Sequence, residues 1–478
     1  MEENETKENN VVTRFAPSPT GFMHVGGVRT ALYAYLWAKK HQGTFILRIE
    51  DTDKEREVEG SIGHIMESLK WLGLNWDQGP DIGGPYASYI QSERLDLYKK
   101  HANVLIEKGF AYPDPYTKEE LDEFRKKADE EKRPFLYRNH RPETFGVWDG
   151  TKALRFKTPE IKSYHWSDAV RGELSAGVEA LDDFILIKSD GYPTYNFAHI
   201  LDDLQMGVTH IMRADEFIAS TPKFLSLYDA LGITPPIFVT LPPILADGGN
   251  KKLGKRDGAK DILEYKKEGY LPDAMVNFLA LLGWNPGGEK EIFIREELIE
   301  AFDIERIQIS GAQMNLEKLD WMNKEHIKLL PQEEIEKNIL AWLPEGRKEA
   351  KLIPVIVDRI SKWSDVETMA RAGELDLFFE APQYDKSKLI FKSLPVERII
   401  ENLKKASDAM EEIPEDDFSS ENIKSKLMSI ADNLESRGEL LHPVRFALSG
   451  LDKSPDPFLI AGIIGKNETI KRLQKAIS

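Results

Sequence analysis

Two stretches of this sequence carry side chains whose types and spacing suit phosphate chemistry. The first is residues 14–27, RFAPSPTGFMHVGG, which joins an apolar run, VVTRFA, to a helical pattern, GGVRTALYAYLWAKK. Ligands of open parallel sheets bind beyond the carboxyl ends of the strands, and a helix N-terminus there offers free N–H groups and partial positive charge to a phosphate. His24 can donate a hydrogen bond to a phosphate oxygen, and Gly26 and Gly27 let a flat ligand lie against the backbone because no Cβ intrudes. The second stretch is residues 251–259, KKLGKRDGA. Lysines on a glycine-rich loop can fold over a triphosphate and neutralise charge that builds during phosphoryl or nucleotidyl transfer. Taken singly, His24 fits a surface histidine on a turn and the lysines fit a solvated loop; the whole string 14–27 points to function. Residues 249–256, GNKKLGKR, nearly spell a P-loop, but Arg256 replaces the Ser or Thr that would hold Mg2+.

Elements must hold these loops in place. VVTRFA reads as a buried strand and TFILRIE as another, ending at Glu50-Asp51. Between them Ala31, Ala34, Tyr35 and Ala38 recur at helical spacing, with Gly43 as terminator. Further helices run through Ile65 and Leu69 to Gly73, and through Tyr98 and Leu105 to Gly109. Such alternation predicts an α/β fold, a parallel sheet with helices on its faces. Residues 110–185 break the pattern with prolines, aromatics and charge, and hold one capping box, Thr117 and Glu120. Alternation returns in DDFILIKSDGYPTY, and a helix follows with Thr221 as cap and Pro222 in its first turn. The sheet domain is therefore expected to be split by an insertion, and the chain from about 265 onward to be helical. Asp51-Thr-Asp53 and Asp202-Asp203 could hold Mg2+ or serve as caps near helix starts, and both readings stay open.

Composition bounds the rest. The chain has 478 residues, 64 Lys plus Arg and 81 Asp plus Glu, for a net charge of −17. That excludes a wholly basic nucleic-acid coat but not a local basic stripe. No cysteine is present, which excludes disulfides, thiolate zinc sites and cysteine nucleophiles. The longest apolar run, AMVNFLALLGW, is too short to span a membrane and is interrupted by Asn277. The polar start MEENETKENN lacks the features of a secretory signal and reads as a solvated tail, so a cytoplasmic protein is expected.

RFAPSPTGFMHVGGVRTALYAYLWA, FILRIEDTD, WLGLNWDQGP, SERLDLY, SDGYPTYNFAHILDD, MGVTHIMRADE and KKLGKRDGA resemble, in this order, the glutamyl-tRNA synthetases, class I aminoacyl-tRNA synthetases of bacterial type. The likeness continues through GYLPDAMVNFLALLGW and LEKLDWMN to HPVRFALSG, and is weakest over 331–435. It implies a Rossmann-like parallel-sheet catalytic domain with an inserted acceptor-binding domain, followed by all-helical C-terminal domains. The implied division is a tail over 1–10, catalytic halves over 11–109 and 186–264, the insertion over 110–185, a stem-contact helical domain over 265–330 and a helical anticodon-binding region over 331–478.

The resemblance also implies site residues. His24, Lys252 and Lys255 would stabilise the reacting phosphates, and ATP, with Mg2+, would lie against Pro17, Thr20, Gly21, His24, Gly26, Gly27, Lys252, Lys255 and Arg256. Arg14 and Arg213 would contact the substrate carboxylates and Glu50 the α-ammonium, with Ser18 and Tyr195 as neighbouring contacts. Arginine forks suit carboxylates in a way lysine does not. Arg133, Arg138 and Arg141, with Lys152 and Arg155, are candidate tRNA phosphate contacts. Arg445 would approach RNA or merely belong to a helix that packs Val444, Phe446 and Leu448. Gly254 departs from the serine usual in the second loop, and Phe217 stands where relatives carry another aromatic or His. Tyr112-Pro-Asp-Pro-Tyr116 occupies the region where some relatives bind zinc, and no protein-held metal or zinc is expected. The implied activity is ATP-dependent ligation of L-glutamate to tRNA-Glu by a monomer that needs no membrane; the alternative is an inactive paralogue that binds tRNA or regulates.

Overall fold

The apolar runs that flank the first loop become neighbouring parallel strands. The computed structural model describes residues 11–86, 88–246, 249, 251–254 and 260–478. Strand β1, Val12–Phe15, pairs in parallel with β2, Thr44–Leu47, through the crossover helix α1, Val25–Lys40. Val28, Ala31, Leu32 and Leu36 of α1 are fully buried. Each large apolar side chain so buried stabilises by about 1.5–3 kcal/mol. The chain turns tightly into β2 because residue 43 has no side chain: a Cβ on Gly43 would lie 2.0 Å from the Val11 carbonyl oxygen. Helices α2, Ser61–Trp71, and α3, Leu95–Glu107, are followed by Gly73 and Gly109 in left-handed backbone, as the periodicity predicts.

The region 110–185 serves two sheets rather than one insertion. Strands β3, Ala111–Pro113, and β4, Leu154–Phe156, flank α4, Lys118–Glu130, whose capping box at Thr117 and Glu120 forms as expected. Strands β5, Tyr164–Asp168, and β6, Gly172–Ala176, form a hairpin. Strand β7, Ile185–Ile187, joins β3 and β4 in a three-stranded antiparallel sheet, so FILIK completes the insertion instead of reopening the main sheet. The hairpin goes the other way and extends the main sheet. Tyr164, Trp166 and Asp168 face inward in alternation; Asp168 binds the Thr240 hydroxyl and Tyr164 reaches Asp229.

The main sheet is completed by β8, His210–Ala214, and β9, Ile237–Leu241, with order β2-β1-β8-β9-β5-β6. Every pairing in it is parallel except β5 with β6. Helices α5, Tyr195–Gln205, and α6, Thr221–Leu231, lead into β8 and β9 respectively. Thr221 is not the cap of α6: Ser220 holds that position, and the Thr221 hydroxyl is used elsewhere, as described below. The short strand β10, Ile244–Leu245, pairs with β11, Ala312–Gln313. Between them lie α7, Ile262–Lys267, α8, Pro272–Leu281, and α9, Arg295–Ala301. Asn277, the polar break in the apolar run, is fully buried in α8 and satisfied by Phe293 N–H, Glu291 O and His326.

Met1–His326 and Ile327–Ser478 form two compact units. The second unit has no strand among its described residues; its helices Val396–Glu411, Gly438–Ser449 and Lys466–Ile477 pack on one another. Val444, Phe446 and Leu448 are buried there, and Arg445 bonds Leu451 O and Ser454.

Candidate active site

The carboxyl ends of β1, β2 and β8 converge on one cleft of about 1110 Å3. Pro17, Ser18, Thr20, Gly21, His24 and Gly27 line it from the first loop, with Arg14, Glu50, Tyr195 and Arg213 from the surrounding elements. The loop is pinned to the chain after β2 by Arg48 N–H to Phe15 O, Glu50 N–H to Pro17 O and Val58 N–H to Pro19 O. His24 caps α1: its Nδ1 accepts the Gly26 N–H at 3.2 Å. A neutral imidazole that accepts at Nδ1 carries its proton on Nε2, so Nε2 is the donor side of the His24 ring. Gly26 has a steric reason to lack a side chain, since a Cβ would lie 3.1 Å from the His24 ring.

The second loop is entered through a hairpin. Leu245 bridges Lys252, Ala246 N–H bonds Lys251 O and Leu253 N–H bonds Ile244 O. The Lys252 ammonium is paired with Glu216, which lines the cleft. Lys255 and Arg256 lie outside the described residues.

The amino-acid side of the cleft rests on a buried charge network in which Arg14 and Glu50 are the members anticipated as amino-acid contacts and Asp202-Asp203 those anticipated as metal ligands or caps. Arg48, with no exposure, donates to Asp203 at 2.7 Å and to Glu50 at 3.0 Å. Arg14 donates to the same Asp203 oxygen at 3.1 Å. Asp202 takes bonds from Arg94, Gln91 and Tyr98. Asp202 and Asp203 are thus counter-ions to arginines, the reason two adjacent carboxylates can be buried together. Burial alone would raise the Asp203 pKa, but Arg14 and Arg48 hold it below its ordinary value. Glu50 goes the other way: burial raises it to about 7, against the pull of Arg48 and Arg14.

Arg213 differs from every other arginine in this cluster. Its Nη2 donates to the Thr221 hydroxyl at 2.6 Å, and its guanidinium lies 4.4 Å from the Phe238 ring centre. Among the described residues it has no ion-pair carboxylate and its buried Nε has no hydrogen-bond partner, although the buried Asp168 carboxylate favours its charged form from further away. Burial lowers its pKa. A buried cation without an anion is costly, and a bound carboxylate removes that cost. Tyr195, beside it, stacks at 4.5 Å on His199, whose Nδ1 donates to Tyr195 O at 2.6 Å. Burial lowers the His199 pKa to about 3, so this imidazole adds no charge to the pocket at neutral pH.

The arginines of the inserted sheet are mostly committed to that sheet. Arg138 donates to Val178 O and Leu181 O, and Arg141 to both oxygens of Asp183. Arg155 is buried against Asp114 with its guanidinium 3.4 Å from the Tyr137 ring centre. These three hold elements together through buried or half-buried bonds. Arg133, paired with Glu131, and Lys152 remain at the surface. Asp51 and Asp53, the metal alternative, are occupied by Lys54 and Ser92 and by Arg56. Sequence reasoning missed Arg48, Arg94, Thr221 and His199. The available signal was Arg48 inside the apolar strand pattern FILRI, because an arginine is rarely fully buried unless paired.

Comparison with known proteins divides the chain as its chemistry does. The family model for the catalytic domain of class I tRNA synthetases (E and Q) matches residues 10–321, and that for an anticodon binding domain matches 319–477. The class is therefore that of the class I tRNA synthetases. Among curated proteins, the glutamate–tRNA ligase of Clostridium kluyveri is 43% identical over 98% of this chain and 97% of its own length, and that of Clostridium tetani is 40% identical over 98% of each. Among solved structures, a glutamate tRNA ligase from Elizabethkingia meningosepticum, crystallised with its amino acid, is 35% identical with a TM-score of 0.86, covering 98% of this chain and 99% of that one. The glutamate-tRNA synthetase of Elizabethkingia anophelis scores 0.84 with the same identity and coverage. This chain belongs to the glutamate–tRNA ligase family.

Proposed function

We propose that this protein ligates L-glutamate to tRNA-Glu in two steps. A glutamate carboxylate oxygen attacks the α-phosphorus of ATP, giving glutamyl-adenylate and pyrophosphate. The terminal ribose hydroxyl of the tRNA then attacks the acyl carbon and releases AMP. The observation that carries this reading is Arg213, a buried guanidinium with no ion-pair carboxylate among the described residues, in the same cleft as Glu50 and the His24-capped helix.

Arg213 and Arg14 hold the carboxylates, Glu50 takes the α-ammonium, and Ser18 and Tyr195 bound the pocket. The α1 N-terminus, His24 Nε2–H and the lysines of the second loop offset charge on the phosphates, so catalysis is placement plus fixed positive charge. Lys252 must exchange Glu216 for phosphate when ATP binds. Mg2+, carried with ATP, would supply charge neutralisation on the phosphates. Of the five cations anticipated as tRNA contacts, Arg133 and Lys152 are the two with no buried partner among the described residues and would meet tRNA phosphate, and the helical second unit would meet the anticodon. A monomer working in the cytoplasm suits this role; among the described residues no helix is long and apolar enough to cross a membrane.

The test is glutamylation of purified tRNA-Glu and tRNA-Gln with ATP and Mg2+. Charging of tRNA-Glu supports the proposal, absence of charging on both tRNAs rejects it, and the tRNA-Gln arm reports how many anticodons are accepted.

A further inference from the structure

His64 lies on α2, outside the residues assigned to either loop, yet it touches both. Its Nε2 is 2.8 Å from Asp261 Oδ2, at the point where the chain leaves the second loop. Its ring stacks on Phe22 of the first loop at 4.6 Å, tilted by 24°. Its Nδ1 accepts the Met23 N–H at 3.4 Å, which places the ring proton on Nε2, facing the carboxylate. Asp261 spends its other oxygen on capping α7 through Leu263 N–H. The two loops meet directly beside this contact: His24 bridges Asp261, and Ile262 N–H bonds Met23 O at 3.0 Å. One salt bridge further along, Lys266 pairs with Glu67 and fastens α7 to α2 again.

We infer that His64 is a positioning residue, tying Phe22 and Met23 of the first loop to Asp261 at the root of the second. The lysine-bearing loop has two roots. The Leu245–Lys252 hairpin fixes the first, and the His64–Asp261 bond fixes the second. Both loops serve the phosphates, so the His64–Asp261 bond holds the described end of the second loop against the first. Of the glutamate contacts, Glu50, Tyr195 and Arg213 stand on other elements, and Arg14, at the far end of the first loop, is held by Asp203; none of them bonds His64 or Asp261. Loss of the bond therefore raises KM for ATP and leaves KM for glutamate in place. The inference rests on the proposal that the two loops embrace ATP.

The experiment is glutamate-dependent ATP–pyrophosphate exchange by the full chain with tRNA-Glu present. His64→Phe keeps a ring for Phe22 but loses the donor to Asp261. It should raise KM for ATP about fivefold, the weight of one partly exposed charge-assisted hydrogen bond, with KM for glutamate changed less than about twofold. His64→Gln puts an amide N–H near the former Nε2 and should restore KM for ATP. Asp261→Ser keeps a helix cap but falls short of His64, and should reproduce the His64→Phe shift without adding to it in the double variant. Unchanged KM for ATP in both His64→Phe and Asp261→Ser, or an equal rise in both KM values, overturns the inference. His24→Ala is the separate control: wild-type exchange in that variant would instead remove the site assignment on which the inference rests.

Discussion

Glu50 offers a test in which the sign is fixed by the structure. It is 4% exposed, and burial raises its pKa to about 7, with Arg48 and Arg14 opposing. Only the ionised form can pair with an α-ammonium, which itself stays protonated across the neutral range. For a pKa near 7, roughly a tenth of Glu50 is ionised at about pH 6 and roughly nine tenths at about pH 8. Apparent affinity scales with the competent fraction, so glutamate should bind about tenfold tighter at the higher pH. Stability runs oppositely. The native pKa lies above the ordinary 4.5, so the stabilisation from holding this proton is full below that value and is lost as pH rises through about 7. Calorimetric titration with glutamate, without ATP, reads the first quantity, and the thermal midpoint of the ligand-free protein reads the second. Glu50→Gln should flatten both profiles and weaken binding. Affinity that is flat, or that tightens toward acid, would refute the reasoning.

Other consequences are as direct. Arg213→Lys keeps the charge but loses the fork and the bond to Thr221; KM for glutamate should rise about tenfold to a hundredfold in aminoacylation kinetics, with KM for ATP little changed. Thr221→Val should raise KM for glutamate about fivefold, and Thr221→Ser should stay near wild type, because the hydroxyl that holds Arg213 is what matters. Gly26→Ala puts a methyl 3.1 Å from the His24 ring and should lower kcat for pyrophosphate exchange with a small change in KM for glutamate.

The strand–loop–helix setting of the first loop was legible because periodicity and apolar runs are local signals: β1, α1 and β2 form where the pattern places them. That Gly26 serves His24 was not, because the sequence shows a small residue without showing which side chain needs the space. The assignment of 164–176 to the main sheet was hidden as well. Those strands are short, and their partner β9 lies more than sixty residues downstream, so no local feature marks the pairing. Asp202-Asp203 read as ligands or caps because adjacent carboxylates look exposed in one dimension. Their neutralisers Arg14, Arg48 and Arg94 come from three separate segments, and only folding brings them within reach. The same holds for Arg141 and Arg155 of the insertion, whose partners Asp183 and Asp114 come from separate segments.

The central claim is that Arg213, a buried guanidinium with no direct ion pair among the described residues, selects a dicarboxylic amino acid for activation. The most direct measurement is kcat/KM for ATP–pyrophosphate exchange, in the presence of tRNA-Glu, with glutamate and with glutamine. Glutamate should be preferred by about a thousandfold or more, and Arg213→Ala should lose most of that preference. Comparable rates with the two amino acids, or a preference that survives the loss of Arg213, would contradict it.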